Sequence, residues 1–489
     1  MTGMMAKREF DYDKKKDFSA WYNAIIYAAD MADIRYNVQG FIVHKPWSMT
    51  AIKKMYSLFE EQLEERGHQP CLFPTVILED NFEREKEHAE GFAPEVFWIT
   101  HRGDEQLSRR LALRPTSEAA IYPLYALWVK SKSDLPLKLY QSCSVFRNES
   151  ETNPFLRGRE FLWIEAHDAF ASQQEARAQL RSDVEVAVEV IARQLCIPLM
   201  VFKRPQWDKF AGAVDTFAFD TRMPDGKAFQ ISTTHDLGQN FSKAFGITFA
   251  DEAGEKREAW QTTFGIGIWR ILGAVIAVHG DNKGLCWPWP IAPLQVVIIP
   301  IFKGDSKAVM EYAESIAADL DEAGVRCRVD AGDKTPGFKY NFWEMKGVPL
   351  RIEVGERETR EETITLCRRD NGVKTTVKRS ELLKAVLELA FLYQESLRER
   401  AQREFQQAIQ QASSVEETKK VLDGGGYARI FFCSTQMDGK PCADILQSET
   451  RGGKVRGTLF PQEEKVPQNA KCLVCGKHAE HVVYVARQY

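Results

Sequence analysis

Two arginines, a carboxylate and an aromatic residue lie close together before the middle of the chain. The run SVFRNE contains Arg147 and Glu149, and the pattern RGREF that follows adds Arg157 and Phe161. Arginine neutralises charge on a phosphoryl oxygen, a carboxylate accepts from the amino group of adenine, and an aromatic face covers the base. The constellation therefore suits a nucleoside triphosphate held for attack at its α-phosphate. A β-hairpin with surface charges is the alternative for the first run alone.

A glycine-containing segment further along the chain strengthens this interpretation. In FGIGIWRILGAVIAV, Gly265, Gly267 and Arg270 lie where an extended pattern changes into a helical one. Glycine allows a backbone to approach a ligand closely, and an arginine can close over a stacked base. A buried strand and helix with packing glycines is the alternative. Because the segment follows the first motif in this order, the chain is interpreted as an ATP user.

Four of the ten cysteines are grouped near the C-terminal end, and the other six are isolated. The grouped residues are Cys433, Cys442, Cys472 and Cys475. A CxxC pair that follows an earlier pair is typical of a tetrahedral zinc site with four thiolate ligands. The first pair is spaced more widely than usual, and His478 or His481 could substitute as a ligand. We expect a structural zinc ion, with a packed domain that has lost its metal as the alternative.

Length, charge and hydropathy limit the number of domains and the classes of protein to which the chain can belong. A chain of 489 residues is long enough for roughly three domains. The formal net charge of −4 gives no sign of a basic nucleic-acid coat, although a local groove can still bind RNA. No apolar run reaches the length of a membrane span, and the charged start does not resemble a signal peptide. We expect a cytoplasmic protein without a membrane segment.

The elements that must position these residues change in type near residue 290. Up to that point, the patterns predict helices at 18–36, 47–68, 117–131 and 172–195, and strands at 70–78, 95–101, 109–114, 137–147, 160–170, 214–220 and 227–234. Pro74 marks the 70–78 strand as an edge or interface strand, because proline cannot donate to a ladder. This pattern predicts a sheet-centred α+β domain rather than alternating βαβ units.

A proline-rich segment, WPWPIAP at 287–293, is interpreted as a linker. Beyond it, strands and helices alternate, which predicts a small α/β domain. A long charged helix at 379–411 leads from there into the cysteine-containing part. We therefore expect domains at 1–290, 291–400 and 401–489.

The motifs resemble those of a known family over essentially the whole chain. GHQPCLFPTVI, SVFRNE through REF, and FGIGIWR resemble motifs 1, 2 and 3 of class II aminoacyl-tRNA synthetases. Within that class, RPTSE, FLWIEAH, LGQNFSK, HGDNKGL and EMKGVPLRIEVG resemble prolyl-tRNA synthetases of the archaeal and eukaryotic type. The resemblance implies a six-stranded antiparallel catalytic sheet, an α/β anticodon-binding domain, a C-terminal zinc-binding-type domain and a homodimer made through motif 1. The short gap between motifs 2 and 3 implies that the large editing insertion of bacterial-type relatives is absent.

The resemblance also implies the ligands and the residues that bind them. L-proline, ATP with Mg²⁺, and tRNA(Pro) are the expected ligands. Thr116 and Glu118 can accept the two N–H donors of proline, and Arg147 can clamp its carboxylate against the α-phosphate. The pocket residues implied around the proline ring are Phe92, Trp163, His167 and His235. The implied ATP contacts are Arg147 and Glu149 to α-phosphate and adenine, Arg157 to γ-phosphate, Phe161 and Arg270 to the two faces of adenine, and Gln230 and Thr233 to ribose or phosphate. Arg147 and Arg270 are the expected catalytic residues, and Glu344, Lys346 and Arg351 are expected to read anticodon bases.

Several positions depart from the family pattern or need an explanation of their own. Ile268 and Trp269 stand where relatives usually carry hydroxyl residues. Asp168 and Asp236 follow pocket histidines, where each could favour a protonated neighbour or point to solvent. In the family the final tyrosine lies near the active site, and Tyr489 is expected to do the same. A tRNA-binding paralogue without catalysis, and a synthetase for threonine or alanine, are the alternatives.

Overall fold

The computed structural model describes residues 10–82, 84, 96–302 and 306–489. Phe92, expected beside the proline ring, lies outside these residues. The helices are α1 (Phe18–Ala28), α2 (Pro46–Glu65), α3 (Glu79–Phe82), α4 (Glu118–Trp128), α5 (Gln173–Ala187), α6 (Asn240–Phe245), α7 (Ile268–His279), α8 (Ser306–Glu322), α9 (Pro336–Lys346), α10 (Glu356–Glu361), α11 (Leu382–Gln407), α12 (Val415–Asp423) and α13 (Lys440–Glu449). A π-helical turn, Val188–Gln194, continues α5.

The strands fall into an amino-terminal and a carboxy-terminal group. The first group is β1 (Ala32–Asp33), β2 (Val43–His44), β3 (Gln69–Pro70), β4 (Val76–Leu78), β5 (Phe97–Arg102), β6 (Glu105–Leu113), β7 (Leu137–Phe146), β8 (Glu160–Phe170), β9 (Met200–Lys203), β10 (Asp215–Arg222), β11 (Ala228–Gly238), β12 (Thr248–Ala250), β13 (Lys256–Glu258) and β14 (Trp260–Ile266). The second group is β15 (Val296–Pro300), β16 (Cys327–Val329), β17 (Leu350–Val354), β18 (Thr363–Arg368), β19 (Lys374–Lys378), β20 (Ile409–Gln411), β21 (Tyr427–Phe432), β22 (Gly453–Leu459) and β23 (His481–Arg487).

Helix ends follow local sequence signals. Pro46 occupies the first turn of α2, where a missing N–H costs no hydrogen bond, and Gly67 adopts a positive φ of 85° just beyond its end. Ser172 and Glu175 form a capping box at the start of α5. The expected helix at 18–36 ends earlier, at Ala28, because a short strand begins at Ala32.

An antiparallel sheet of six strands forms the centre of the molecule, as expected. Its order is β9–β10–β11–β14–β8–β7, and every neighbouring pair is antiparallel. One face carries the buried helix α7, in which ten of the twelve residues are buried. A helix that is apolar all round belongs in a core. The opposite face of these strands is left for a cavity.

The single strand expected at 70–78 is interrupted. Its first part, β3, pairs in parallel with β7 at the edge of the large sheet, whereas β4 pairs with β6 in a separate three-stranded sheet. Between them, the backbone N–H of Phe73 donates to the side-chain oxygen of Gln141 at 2.9 Å. The edge position of β3 agrees with the prediction from proline, because the two prolines of this run prevent a continuous ladder.

The small α/β domain has a five-stranded sheet in the order β16–β15–β17–β18–β19. β15 is parallel to both of its neighbours, β16 and β17. β18 pairs antiparallel with both β17 and β19. The WPWPIAP segment before it is packed into the protein, since Trp287, Ile291 and Ala292 are almost completely buried. The segment joins the two sheets as a packed connection, because the two tryptophans and the isoleucine supply apolar surface for a core.

The cysteine-containing part continues the central sheet. β22 pairs with β9 through Thr458 opposite Lys203 and Leu459 opposite Phe202, and β23, β21 and β20 follow. With β3 at the other edge, the sheet has eleven strands. Gly457 has φ of 122°, and a Cβ there would lie 2.0 Å from the carbonyl oxygen of Lys203. Only glycine allows this close approach. Within the described ranges, no helix is both long enough and apolar enough to cross a bilayer.

Candidate active site

The open face of the central sheet brings polar side chains from three neighbouring strands into one row. Glu165 on β8 lies opposite Gly265 on β14, and Thr233 on β11 lies opposite the same glycine. Alternate residues of a strand share a face, so Trp163 and His235 join this row. A Cβ at Gly265 would lie 3.3 Å from the Trp163 ring, so glycine there leaves room beside the indole.

This row forms the floor of a cavity. Seven of its lining residues were predicted from the sequence: Thr116, Glu118, Arg147, Trp163, Gln230, Thr233 and His235. Gly265, expected to allow a close approach of the backbone, also lines the cavity. Eight further lining residues were not predicted to contact a ligand: Glu165, Arg204, Asp208, Lys209, Phe210, Thr216, Thr263 and Gln488. The face alternation of β8 could have indicated Glu165, because it lies two residues from Trp163. No local pattern marks Arg204 or Gln488.

Carboxylates are concentrated at one end of the cavity. The hydroxyl of Thr116, in the buried loop before α4, donates at 2.6 Å to Glu118, the buried first residue of that helix. Glu165 accepts from the backbone N–H of Ser117 at 3.1 Å and from the side chain of Gln141 at 2.7 Å. Two buried carboxylates beside a threonine hydroxyl form a site that favours a cation with N–H donors.

Glu165 and His167 form a buried pair behind this site. Burial by itself would raise the pKa of Glu165, but its hydrogen bond to His167 and the charge of that ring outweigh burial and lower it. Burial would likewise lower the pKa of His167, and the bond to Glu165 at 3.1 Å outweighs it and raises the pKa. His167 is almost completely buried and also contacts the Tyr122 hydroxyl at 3.2 Å. The histidine therefore lies behind Glu165 rather than in the cavity wall, which differs from the expectation.

His235 lines the cavity as a neutral ring. Its two nitrogens lie 2.9 Å from the Thr216 hydroxyl and 3.1 Å from the Thr233 hydroxyl, and its ring centre is 4.5 Å from that of Phe210. Burial, helped by the charge of Arg147, lowers the pKa of His235 to about 3. The ring therefore stays uncharged at neutral pH and acts as a wall.

Arg147 is braced above the same floor. Its Nε donates to the carbonyl oxygen of Pro115 at 3.1 Å, and its guanidinium lies 5.3 Å from the Phe161 ring and 5.6 Å from the Trp163 ring. Stacking and a backbone bond fix the direction of the fork before any ligand binds. The arrangement leaves a fixed positive charge beside the carboxylate-rich end.

A second group of cations extends from Arg147. Arg270 donates to the carbonyl oxygen of Gln230 at 3.1 Å and lies 5.5 Å from the Phe229 ring. Burial, helped by the charges of Arg147 and Arg157, lowers the pKa of Arg270 to about 10. Arg157 contacts Glu149 at 3.8 Å. Three arginines that repel each other attract a polyanion such as a triphosphate.

Tyr489 lies beside these arginines. Its carbonyl oxygen accepts from Arg157 at 3.2 Å, and its ring packs edge-on against Phe229 with centres 5.4 Å apart. Its backbone N–H donates to Ala228, at the start of β11. The expected position of this tyrosine near the active site is confirmed.

The residues that departed from the family pattern have structural explanations. Trp269 is buried, donates to His44 and packs edge-on against Phe155 with ring centres 5.5 Å apart. A Cβ at Gly158 would lie 2.4 Å from the Trp269 ring, so the indole anchors the loop between β7 and β8. Ile268 is fully buried beside it.

The charge of Asp168 is one of those that outweigh burial and raise the pKa of His167, as one alternative from the sequence held, whereas Asp236 follows neither alternative. Asp168 is fully buried, and its Oδ1 lies 3.2 Å from Nε2 of His68 on the face opposite to His167. Asp236 accepts the backbone N–H of Gly238 at 2.8 Å, and burial raises the pKa of its carboxyl group. Adjacent residues of a strand point to opposite faces, which separates each aspartate from its histidine neighbour.

The three residues expected to read the anticodon have different environments. Arg351 is buried against the ring of Tyr340, 4.0 Å away, and contacts Glu344 at 3.4 Å and Glu353 at 3.0 Å. Lys346 is also buried, and its ammonium donates to the carbonyl oxygen of Ala29 in the catalytic domain at 2.8 Å. Because its ammonium bonds to Ala29 and lies 3.8 Å from a carboxylate oxygen of Asp30, Lys346 faces the first part of the chain rather than a free surface.

The four grouped cysteines meet in space. The sulfur atoms of Cys433, Cys442, Cys472 and Cys475 all lie within 4.8 Å of one another. Tetrahedral zinc with bonds of about 2.3 Å needs sulfur atoms roughly 3.8 Å apart. His481 pairs with Glu463 instead, and neither His478 nor His481 belongs to the group.

Comparisons with known proteins are consistent along the chain. The tRNA synthetase class II core domain (G, H, P, S and T) matches residues 97–279, the anticodon binding domain matches residues 295–389, and the prolyl-tRNA synthetase C-terminal domain matches residues 415–489.

Two relatives that match over almost the whole chain are proline–tRNA ligases. A proline–tRNA ligase of Thermofilum pendens is 51% identical over 99% of this chain and 100% of its own length. A proline–tRNA ligase of Pyrococcus horikoshii is 42% identical over 97% of this chain and 98% of its own. Among solved structures, Giardia lamblia prolyl-tRNA synthetase in complex with prolyl-adenylate superimposes with a TM-score of 0.94 at 35% identity, covering 97% of this chain and 99% of the other.

Proposed function

Because this chain belongs to the prolyl-tRNA synthetase family, we propose that the cavity on the open face of the central sheet is its site of amino-acid activation. The enzyme is a proline–tRNA ligase, which uses ATP to convert L-proline into prolyl-adenylate and transfers the prolyl group to tRNA(Pro). The observation that carries the assignment of the site is the placing of Glu118 and Glu165 next to the fixed guanidinium of Arg147. Opposite charges that line one cavity match a zwitterionic amino acid.

Proline binds with its ammonium toward Thr116 and Glu118 and its carboxylate toward Arg147. Trp163 and His235 enclose the ring, and Phe92, the further expected wall residue, lies outside the described residues. His167 supports Glu165 from behind. The ammonium has two N–H donors, and a site with buried acceptors rejects ligands that cannot fill them.

ATP binds along the arginines that extend from the same cavity. Arg147 and Glu149 meet the α-phosphate and adenine, Arg157 meets the γ-phosphate, Phe161 and Arg270 cover the base, and Gln230 and Thr233 meet ribose or phosphate. The carboxylate of proline attacks the α-phosphate and pyrophosphate leaves. The nucleophile is already ionised, so no general base is needed, and positioning with charge neutralisation by Arg147 and Arg270 lowers the barrier.

Mg²⁺ accompanies the triphosphate, where it neutralises phosphate charge. Magnesium in such sites is held mainly by phosphate oxygens with one or two carboxylates. Glu149 is the carboxylate nearest to Arg157 in this group, at 3.8 Å.

For the tRNA, we assign Glu344 and Arg351 to contacts with anticodon bases. Arginine and carboxylate side chains pair with guanine and cytosine edges, and the internal ion pairs of Arg351 hold its fork in one orientation until a base replaces them. Lys346 instead joins the anticodon domain to the catalytic domain.

The remaining assignments concern assembly. Zn²⁺ bound by the four grouped cysteines would cross-link the C-terminal domain. Motif 1 is suited to a homodimer interface, because Leu72, Leu127 and Trp128 are exposed there, and Phe73 contacts Trp128. We retain domain limits of 1–290, 291–400 and 401–489, and we place the reaction in the cytoplasm with other steps of protein synthesis.

A single assay tests the site and its specificity. ATP–pyrophosphate exchange measured with each amino acid in turn should be strongest with proline. Threonine or alanine as the best substrate would contradict the pocket assignment, and the absence of exchange with any amino acid would contradict the catalytic role of the cavity.

A further inference from the structure

A buried cluster of charged side chains connects strand β22 of the C-terminal domain to the cavity. The carboxylate of Asp220 lies between two arginines: it accepts from Arg204 at 3.0 Å and from Nε of Arg456 at 2.7 Å. Asp220 and Arg456 are fully buried, and Arg204 is only 3% exposed. Charges this deeply buried must be paired, so the cluster holds all three side chains in one geometry.

Arg204 also reaches a residue of the proposed ATP site. The Nη2 atom that contacts Asp220 donates to Oε1 of Gln230 at 2.8 Å, while Nη1 donates to the carbonyl oxygen of Arg456 at 3.0 Å. Because Oε1 of Gln230 is occupied by this bond, the NH₂ group of the same amide is the part left for a ligand. The backbone oxygen of Gln230 is held separately by Arg270.

The C-terminal domain completes this arrangement. Arg456 lies at a bulge of β22 between Val455 and Gly457, and Nη1 of Arg456 donates to the side chain of Gln488 at 2.9 Å. Both Arg204 and Gln488 line the cavity. Asp208, another lining residue, lies 3.9 Å from Nε of Arg204, so two carboxylates balance the two guanidiniums and hold Arg204 in place at the cavity edge.

We propose that Arg204 is a positioning residue for ATP: held by Asp220 and Arg456, it orients the amide of Gln230 so that its NH₂ group donates to the nucleotide. The proposal rests on the proposed contact of Gln230 with ATP. It makes the C-terminal domain part of the nucleotide site through Arg456, independently of Tyr489.

Arg204→Lys in the full-length enzyme tests the proposal. Lysine keeps a charge for Asp220 but cannot reach three acceptors in a fork geometry. In proline-dependent pyrophosphate exchange, we expect the KM for ATP to rise about tenfold, the size of one lost hydrogen bond to a charged group, while the KM for proline changes less than about twofold.

Arg222→Lys provides the matched control. Arg222 also joins the catalytic sheet to the C-terminal domain, through a bond of 2.7 Å to the carbonyl oxygen of Gly425, but it does not line the cavity. Its substitution should leave both KM values unchanged. Equal changes in the two variants, or a rise in both KM values for Arg204→Lys, would mean that Arg204 only stabilises the domain contact.

Gln230 variants separate the proposal from the function on which it rests. Gln230→Ala should raise the KM for ATP, and Arg204→Lys should add little in that background, because residues acting through one another are not additive. The positioning role alone is overturned if the two substitutions raise the KM for ATP independently of each other. It is also overturned if Arg204→Lys leaves this KM unchanged while Gln230→Ala raises it. If Gln230→Ala leaves the KM for ATP unchanged, Gln230 does not contact ATP, and the positioning role of Arg204 is overturned as well.

Gln230→Glu gives an answer even if Arg204→Lys fails to fold. A glutamate keeps an acceptor for Arg204 but has no NH₂ group to donate. We expect a KM for ATP at least as high as that of Gln230→Ala, and a value like that of the unmodified enzyme would overturn the proposed amide orientation.

Discussion

Arg147 and Glu118 carry opposite charges in one cavity, and the same loop fixes both of them. Arg147 bonds to the carbonyl oxygen of Pro115, and Glu118 accepts from Thr116. The distance between the two charges is therefore set by the backbone of residues 114–118 rather than by flexible side chains. A fixed pair of this kind lowers the entropy lost when a small zwitterion binds.

Replacing Arg147 by alanine tests its role at the α-phosphate. We expect adenylate formation to fall by roughly two or more powers of ten, the scale of losing a preorganised charge donor. Proline-dependent pyrophosphate exchange measures it, with Arg257→Ala as a control for an exposed arginine that pairs with Asp251. Near-normal exchange by the Arg147 variant would remove the assigned role.

Glu118→Gln tests recognition of the ammonium. The amide is a poorer acceptor for a cation, so the KM for proline should rise by about tenfold or more, with a much smaller change for ATP. The same exchange assay gives both values, and Glu105→Gln on the exposed hairpin serves as control. Equal losses for the two substrates would point to a misfolded site.

Sequence reasoning reached many of these residues because motif spacing and strand alternation are local. Trp163 and His235 line the cavity as predicted, and Glu165 could have been added from the same alternation. Lys346 and His167 were expected to contact ligands, but they are buried behind or between other groups. Lys346 bonds to Ala29 and His167 contacts Tyr122 as well as its neighbour Glu165, and no local pattern identifies the partners that are distant in sequence.

Among the elements, α7 connects the ATP site to the rest of the molecule. Arg270 lies in its first turn, while the carbonyl oxygens at its other end accept from Lys14 and Arg400. The sequence indicated this helix through the change from an extended to a helical pattern after Gly267. It did not predict β9, whose four residues follow Pro198 without alternation, nor the pairing of β9 with β22, which joins residues more than 250 positions apart.

Removing Tyr489 tests the contact between β23 and the nucleotide site. Arg157 would lose its bond to this residue, and Phe229 would lose an edge-on aromatic neighbour. We expect slower aminoacylation with little change in melting temperature, because the strand itself ends at Arg487. Full activity of the shortened protein would show that this contact is not used in catalysis.

The cysteine group allows a test by metal analysis. One zinc ion per chain should be present in the purified protein, and Cys472→Ser should lose it and lower the melting temperature, since metal binding contributes to folding. Cys196→Ser, a change at an isolated buried cysteine, should retain the metal. A protein free of zinc that melts at the same temperature after chelator treatment would contradict the assignment.

At the scale of the whole molecule, two buried histidines and the half-buried His44 make stability depend on pH. Burial lowers the pKa of His44 to about 4 and that of His235 and His279 to about 3. The unfolded chain binds protons at these residues near pH 6.5, whereas the folded chain does not. The contribution of these three histidines to the free energy of unfolding is therefore fully present above pH 6.5 and is lost as the pH falls toward 3.

His279→Asn tests this linkage. Each such histidine contributes about 1.4 kcal/mol per pH unit within the window, so the variant should show a smaller fall in unfolding midpoint between pH 7 and pH 5. His478→Gln, at an exposed position, should keep the slope of the unmodified protein. An unchanged slope for His279→Asn would mean that this ring is protonated in the folded state.

The shared sheet has a consequence for the order in which the chain is made. β9 leaves the ribosome long before its partner β22, so during synthesis the nascent catalytic half presents an unpaired strand edge to its surroundings. Unpaired edges invite association with other chains. The nucleotide cavity also stays incomplete until Gln488 has emerged. Newly made chains therefore pass through an inactive, aggregation-prone interval, and chaperone protection of the β9 edge would matter most while the last third of the protein is still being translated.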